Sequence, residues 1–284
     1  MQTKNLEKNV FETIKKFKLV SKNDRVAVAV SGGKDSMVLL HILNKHFNVT
    51  PLFVDLGIEN FSQESLNIIK NYCKDNSLNL KVLSFKEGFG FSMQEVYKVL
   101  PKLKIRACTA CGVLRRYILN KNSKQFDKIA TGHNLNDESI SVLMNIFKAN
   151  IRANSSLGPK TGILVSKKFV QRIKPLYFCT EKEVLDYAEA HKIQFLKKQC
   201  PLRGEPFRLF LSKKLQILES EYYKNTLHYN IINSFLKYIK PKTTSNFKNE
   251  SINYCQLCGE PSSAKICNSC KLRLKIEKEL KRAK

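Results

Sequence analysis

The sequence predicts an α/β fold, a parallel sheet with helices on both faces, followed by a small C-terminal cysteine module. Three observations predict it. Short apolar, β-branched runs alternate with longer segments of helical periodicity, the pattern of a parallel sheet whose crossovers are helices. The first run, Arg25 to Val30, stops at Ser31-Gly32-Gly33-Lys34-Asp35-Ser36, a glycine turn that opens directly into a helix. Near the end of the chain, Cys255, Cys258, Cys267 and Cys270 form two CxxC pairs. A chain of 284 residues can bury a full core and carry a small extra module.

The elements follow in order. Residues 1–20 place Leu6, Val10, Phe11, Ile14 and Phe17 on one side of an N-terminal helix and lack the apolar stretch of a signal peptide. The main domain is expected over residues 21–204. Within it, strands are expected at 25–30, 50–55, 80–85 and 127–131, because each run is short and largely apolar. Helices are expected between them at 36–47, 62–76, 112–120 and 136–148. Residues 150–174 read as a loop with short strands. Thr180 and Glu183 form a capping box that starts a helix over 181–192. Residues 205–240, rich in Leu, Ile, Phe and Tyr, read as a helical extension. Residues 241–254 read as a polar linker, 255–270 as a metal module, and 271–284 as a basic helix or tail.

Charge narrows the partners. The chain carries 50 Lys and Arg against 24 Asp and Glu, a net +26. That excess works against compactness unless a polyanion neutralises it, with nucleic acid the first candidate and an anionic membrane surface the second. The charge is clustered. Lys160, Lys167, Lys168, Arg172 and Lys174 fall together without an acid, and Lys197, Lys198, Arg203, Arg208, Lys213 and Lys214 accompany Glu205 alone. No apolar run approaches the roughly 20 residues that span a bilayer. A cytoplasmic protein with no membrane partner is expected. Nine cysteines then read as metal ligands and thiols rather than disulfides.

The chemistry sits in three places. In the Ser31–Ser36 turn, backbone N–H groups and the helix N-terminus face one point, Lys34 adds a positive charge, and Ser31 and Ser36 add hydroxyls; this is a phosphate cradle. Its spacing differs from the G-x-x-x-x-G-K-[ST] loop, and an Asp follows the Lys. Ser31, Asp55 and Gly132 all fall at the carboxyl ends of expected strands, so they should converge. The two C-terminal CxxC pairs offer four thiolates, and Gly259 allows the tight turn after the first pair; one structural zinc ion is expected there. The pair Cys108 and Cys111 is different. It precedes the basic stretch Arg115-Arg116 and reads as a redox dithiol, half a zinc site or part of an Fe–S site. Cys200, in a basic loop, is the candidate third ligand. Arg115, Arg116 and a helix N-terminus are expected to lower the thiol pKa values. Cys73 and Cys179 read as small core residues.

The Ser31–Ser36 motif resembles the PP-loop of ATP pyrophosphatases, the adenine nucleotide alpha hydrolase-like proteins. The motifs together resemble the TtuA/NcsA group of tRNA 2-thiouridine synthetases, relatives of the TtcA 2-thiocytidine enzymes. They are the loop itself, Val54-Asp55 with Gly57-Ile58, the CxxCG followed by Arg115-Arg116, and Thr131-Gly132-His133-Asn134 with Asp137-Glu138. Leu143-Met144-Asn145, Arg172 to Leu176, the late Cys200 and the closing cysteine module continue the match. The resemblance implies that ATP is cleaved between its α and β phosphates on Ser31, Gly32, Gly33, Lys34, Asp35 and Ser36. Mg²⁺ would lie near Asp35 and Asp137, and adenosine near Asp55, Gly132 and His133. Lys34 and Arg115 would stabilise charge on the reacting groups. It also implies a [4Fe–4S] cluster on Cys108, Cys111 and Cys200, with one iron open to a small anion such as sulfide. The implied substrate is a tRNA uridine whose C2 oxygen is adenylated and replaced by sulfur. The sulfur donor would be free sulfide or a ubiquitin-like thiocarboxylate carrier, and the assembly a homodimer.

Three departures accompany the match. Family members carry a second zinc ribbon ahead of the first helix. The paired acids after the Thr131–Asn134 motif read Asn136-Asp137 here, leaving Asp137 alone in that role. The position four after the second cysteine, often Lys, is Arg115, which cannot act as a base. Two other readings keep parts of the pattern. In one, Cys108 or Cys111 carries a persulfide that Cys200 resolves; in the other, the chain is a non-catalytic, zinc-ribbon tRNA-binding protein.

Overall fold

The computed structural model describes residues 2–161, 169–204, 206–247 and 253–283. Helix α1 (Gln2–Phe17) leads into β1 (Val26–Val30), α2 (Lys34–Asn44), β2 (Val49–Asp55), α3 (Phe61–Asp75) and β3 (Lys81–Ser84). Next come α4 (Phe85–Phe89), α5 (Met93–Leu103), α6 (Ala107–Lys121), β4 (Lys128–Thr131), α7 (Leu135–Phe147), α8 (Ile151–Ser155) and β5 (Gln171–Ile173). The chain continues through α9 (Glu181–Ala190), α10 (Pro206–Leu218), α11 (Leu227–Ser234) and α12 (Lys240–Ser245). It closes with the ribbon β6 (Asn253–Tyr254) and β7 (Pro261–Ser262) and helix α13 (Asn268–Arg282).

The five main strands lie in the order β3-β2-β1-β4-β5, and every pairing is parallel. Connections run one way from β1 to β3 and the other way from β4 to β5. Their carboxyl ends therefore open a crevice between β1 and β4, the usual place for a ligand in such sheets. The run Val26-Ala27-Val28-Ala29-Val30 is apolar throughout because β1 is central and buried on both faces.

Each face of the sheet carries its own core. One packs Leu6, Val10 and Ile14 of α1 with Leu39, Ile42, Ile69, Val184 and Tyr187 of α2, α3 and α9. The other packs Leu52, Phe85, Val96, Leu100, Leu114 and Ile118 with Leu272 and Ile276 of α13. The segment expected as a basic helix or tail is thus a helix whose apolar side completes a core.

Several boundaries move. The helix expected at 112–120 starts at Ala107, so Cys108 and Cys111 lie inside its first turns rather than ahead of it. Helices α4 and α5 were not expected, although Ser92 and Glu95 make a reciprocal capping box at the start of α5. The helical extension is broken at Lys224 and Asn225, both with positive φ, and contains wider π turns at Glu219–Tyr223 and Phe235–Ile239. The expected linker at 241–254 is not one throughout: α12 occupies its first half, and Lys240 at its start donates to the Leu157 carbonyl. Part of the expected loop and short strands over 150–174, with Lys167 and Lys168, lies outside the described residues, as does Glu205; β5 is the strand seen there.

Candidate active site

The crevice begins with the Ser31–Ser36 turn. Gly32 takes φ +78°, and a Cβ there would sit 3.1 Å from Ser65, so the turn needs glycine for both conformation and room. Ser36 holds the turn from inside: its hydroxyl accepts from the Ser31 N–H at 3.0 Å and donates to the Gly33 carbonyl at 2.9 Å. No side chain caps the α2 N-terminus at Gly33. Its leading N–H groups and the helix dipole face the crevice, the arrangement that binds phosphate.

Two further helices start at the same place. Asn134 caps α7 by accepting from the Asp137 N–H, and its amide donates to Asp35 Oδ1 at 2.9 Å. Asn136 Oδ1 accepts from the N–H of Glu181, the first residue of α9, at 3.0 Å. The position that departs from the family's acid pair therefore ties α7 to α9. Gly132 makes the convergence possible: a Cβ on it would lie 2.8 Å from the Asp35 carbonyl carbon and the Ser36 nitrogen.

The charges of the crevice are internally paired. Lys34 Nζ reaches Asp35 at 3.1 Å and Glu181 at 3.0 Å. Burial raises the Asp35 pKa above the usual carboxylate range, and neighbouring Asp137 pushes the same way against Lys34 and Asn134. Asp137 itself is held by Arg208 of α10, Nη2 to Oδ1 at 2.9 Å. His133 is exposed at the mouth of the crevice, with Nδ1 3.1 Å from Thr131 Oγ1. Asp55 ends β2 as expected, but its carboxylate accepts from the Gly57 N–H at 2.8 Å and shapes the next turn.

Two residues read as parts of a basic surface play structural parts instead. Lys174 and Glu138 are a buried ion pair at 2.7 Å, with side chains 6% and 2% exposed. Arg172 donates to the Arg116 carbonyl at 3.0 Å, and burial beside Arg116 lowers its pKa to about 10.

The three cysteines are near enough to interact electrostatically, but they are not drawn together as tightly as the C-terminal four. Cys108 and Cys111 lie in the first turns of α6, and Cys200 faces them from the loop before α10. Gly204 N–H donates to Cys108 Sγ at 3.4 Å. All nine cysteines are free thiols. The loop carrying Cys200 is fixed to the phosphate turn, because Leu196 N–H donates to the Gly32 carbonyl at 2.8 Å. The expectation of lowered thiol pKa values fails for Cys111 and Cys200: burial raises both, outweighing Arg115. Two thiols three residues apart on α6 and a third from a separate loop suit a multi-iron cluster, whose thiolates ligate different irons. Cys73 and Cys179 are buried core residues, as expected.

The C-terminal cysteines are arranged differently. The Sγ atoms of Cys255, Cys258, Cys267 and Cys270 all lie within 4.8 Å of one another. Four thiolates that close fit one tetrahedral ion. Gly259, at φ +69°, allows its N–H to reach the Cys255 carbonyl at 2.8 Å. The module is anchored by buried Glu260, which accepts from Asn120 Nδ2 at 2.6 Å and pairs with Lys124 at 2.8 Å. It therefore grips the far half of the helix that carries Cys108 and Cys111.

Sequence reasoning missed Arg208 on Asp137, Asn134 on Asp35 and Glu181 on Lys34. Only Asn134 had a local signal, as an N-cap.

Comparison with known proteins agrees with this geometry. The chain matches the family model of a PP-loop domain, ATP_bind_3, over residues 2–215. It is 36% identical to a tRNA-5-methyluridine(54) 2-sulfurtransferase of Pyrococcus horikoshii, over 93% of this chain and 83% of that protein. It is 34% identical to the enzyme of the same name from Thermotoga maritima, over 96% and 88%. Its structure resembles the U34-tRNA thiolase NcsA from Methanococcus maripaludis, solved with its [4Fe–4S] cluster. The TM-score is 0.80, with 28% identity, 96% of this chain and 88% of that chain covered.

Proposed function

From the membership of this chain in the PP-loop family of tRNA 2-thiolation sulfurtransferases, we propose that it adenylates the C2 oxygen of a tRNA uridine with ATP and replaces that oxygen by sulfur. The observation that carries the reading is the adjacency of the phosphate turn to Cys108, Cys111 and Cys200, joined through the bond from Leu196 to Gly32. Either feature alone fits many chemistries; together they support activation and sulfur delivery at one place.

The residues divide the work. The α2 N-terminus and the Ser31–Ser36 turn hold the ATP phosphates and stabilise charge on the departing pyrophosphate. Lys34 turns from Asp35 and Glu181 toward phosphate when the nucleotide enters. Asp35 and Asp137 supply oxygen donors for Mg²⁺. Gly132 and His133 border the adenosine, and the turn shaped by Asp55 closes that side. The uridine C2 oxygen attacks the α-phosphorus and pyrophosphate leaves; a sulfur nucleophile then attacks C2 and AMP departs. A [4Fe–4S] cluster on Cys108, Cys111 and Cys200 supplies, when bound, a Lewis-acidic iron for that nucleophile. Arg115 stabilises charge on the activated base. Zinc in the C-terminal module is structural. We place the enzyme in the cytoplasm, as a homodimer fed by sulfide or a thiocarboxylate carrier. Among the described residues, no helix is long and apolar enough to cross a membrane.

The test is iron and acid-labile sulfide on anaerobically purified protein, beside Cys200→Ala. The expected result is about four of each per chain, lost in the variant, together with 2-thiouridine formed in tRNA only when ATP is present. Zinc alone, with no iron after reconstitution, would overturn the cluster and leave a persulfide on Cys108 or Cys111 as the sulfur carrier. Pyrophosphate release without thiolation would overturn the reaction.

A further inference from the structure

We propose that Arg208 is a positioning residue that couples the cation side of the nucleotide site to the loop of the third cysteine. It holds Asp137, and a divalent cation arriving there displaces it. The inference rests on the reading that Asp137 ligates the cation.

Arg208 lies in the first turn of α10. One nitrogen of its guanidinium, Nη2, donates to Asp137 Oδ1 at 2.9 Å and to the Asp137 carbonyl at 3.3 Å. The other, Nη1, donates to Ser141 Oγ at 3.3 Å. The fork therefore grips the first turns of α7 at the residue nearest the crevice. Asp137 faces Asp35, so one acid of the pair is neutralised by Arg208 and the other by Lys34. A divalent cation seeks these same oxygens. It and the guanidinium carry like charge and cannot share one carboxylate without repulsion, so binding of either weakens the other.

Release of Arg208 has a structural consequence. Farther along, α10 stays on α7 through Leu211 and Leu215 against Ile140. The part freed is the first turn, and the described segment 200–204 lies shortly before it in the chain. That segment runs back through Gly204, whose N–H donates to Cys108 Sγ, to Cys200, whose carbonyl accepts from the Arg203 N–H. A Cβ on Gly204 would meet nothing within 4 Å, so this point has room to bend.

The test uses the full-length chain with its zinc module intact and the three thiols free of iron. Mn²⁺ is the cation probe, with an ATP analogue that cannot be cleaved between the α and β phosphates. Mn²⁺ affinity is read by electron paramagnetic resonance and Cys200 alkylation rate by peptide mass spectrometry. Arg208→Ala is expected to bind Mn²⁺ about two- to fivefold more tightly, the range set by losing one partly exposed ion pair. In the wild type the Mn²⁺–nucleotide changes the Cys200 alkylation rate; in Arg208→Ala that response disappears. Arg208→Lys, which keeps the charge, restores much of the wild-type behaviour. Asp137→Asn loses most Mn²⁺ affinity. Loss in Asp137→Asn with no gain in Arg208→Ala overturns the coupling alone. Unchanged affinity in Asp137→Asn overturns the assignment of the cation to Asp137 instead.

Discussion

Gly132 is where strand β4 and the phosphate turn come closest, and its missing side chain is a requirement rather than a convenience. Gly132→Ala places a methyl 2.8 Å from backbone atoms of Asp35 and Ser36, which cannot rotate away. The expected outcome is a folded protein with ATP affinity lowered by about tenfold or more, the effect of roughly 1–3 kcal/mol of overpacking, read by nucleotide titration beside circular dichroism. The buried pair has the opposite sensitivity. Glu138→Ala leaves the Lys174 ammonium without its partner at 6% exposure. Stability should fall by about 3–5 kcal/mol in denaturant titration, while Lys174→Met with Glu138→Leu should recover most of it. A third residue sets an acid limit. Burial, with Lys45 and His191 nearby, lowers the His41 pKa from 6.5 to about 4, and its Nε2 is buried with no partner among the described residues. The unfolded chain takes up a proton near 6.5 that the folded chain refuses until about 4. Stability is therefore full above the higher value and drains away as pH falls between them. His41→Phe should flatten that part of the stability profile; an unchanged slope would mean another group causes it. None of these roles shows in local sequence. Gly132 and Lys174 read as a strand-end glycine and a basic residue until their partners, distant in sequence, are known.

Among the elements, α6 carries two sites at once. Its first turns hold Cys108 and Cys111, and its last turns hold Glu260 of the cysteine module through Asn120, with Lys124 just beyond. Helix α13 starts immediately after the third cysteine, Cys267, carries the fourth, Cys270, in its first turn, and buries Leu272 and Ile276 beside α5 and α6. Stripping the ion from the module should therefore raise amide hydrogen exchange in 253–283 and in α6, and leave α2 unchanged. Exchange confined to 253–261 would show that α13 holds without the ion. The four cysteines were legible because ligand spacing is a local property. The helical start of α6 was misplaced because Ala107 to Cys111 has no apolar periodicity; its place comes from packing of Ala110 and Leu114 on the sheet. The polar run after Lys240 was read as a linker for the same reason, since α12 is held by Lys240 at the Leu157 carbonyl and not by an apolar stripe.

At the scale of the whole molecule, a net charge of +26 makes tRNA affinity a matter of released counterions. If six to ten phosphates are contacted, affinity should fall by about 10³–10⁵ between 50 and 200 mM salt, measured by filter binding. Lys174 should contribute little to that slope because it is paired inside the protein; Lys213→Glu with Lys214→Glu should reduce it. The parallel sheet and the crevice were legible from alternation and from what stands at strand ends. The neutralisation of the crevice by Arg208, Glu181 and Asn134 was not, because it joins α10, α9 and α7 across long stretches of chain. The same long reach governs how the protein is made. Helix α1 is synthesised well before α9, yet Glu7 bonds Tyr187 and Asn9 bonds Glu183. The phosphate turn likewise waits for Leu196. Until residue 196 has been synthesised, α1 lacks its α9 partners and the nucleotide site is unfinished. ATP binding therefore stabilises the finished domain rather than the growing chain, whose phosphate turn still lacks the bond from Leu196.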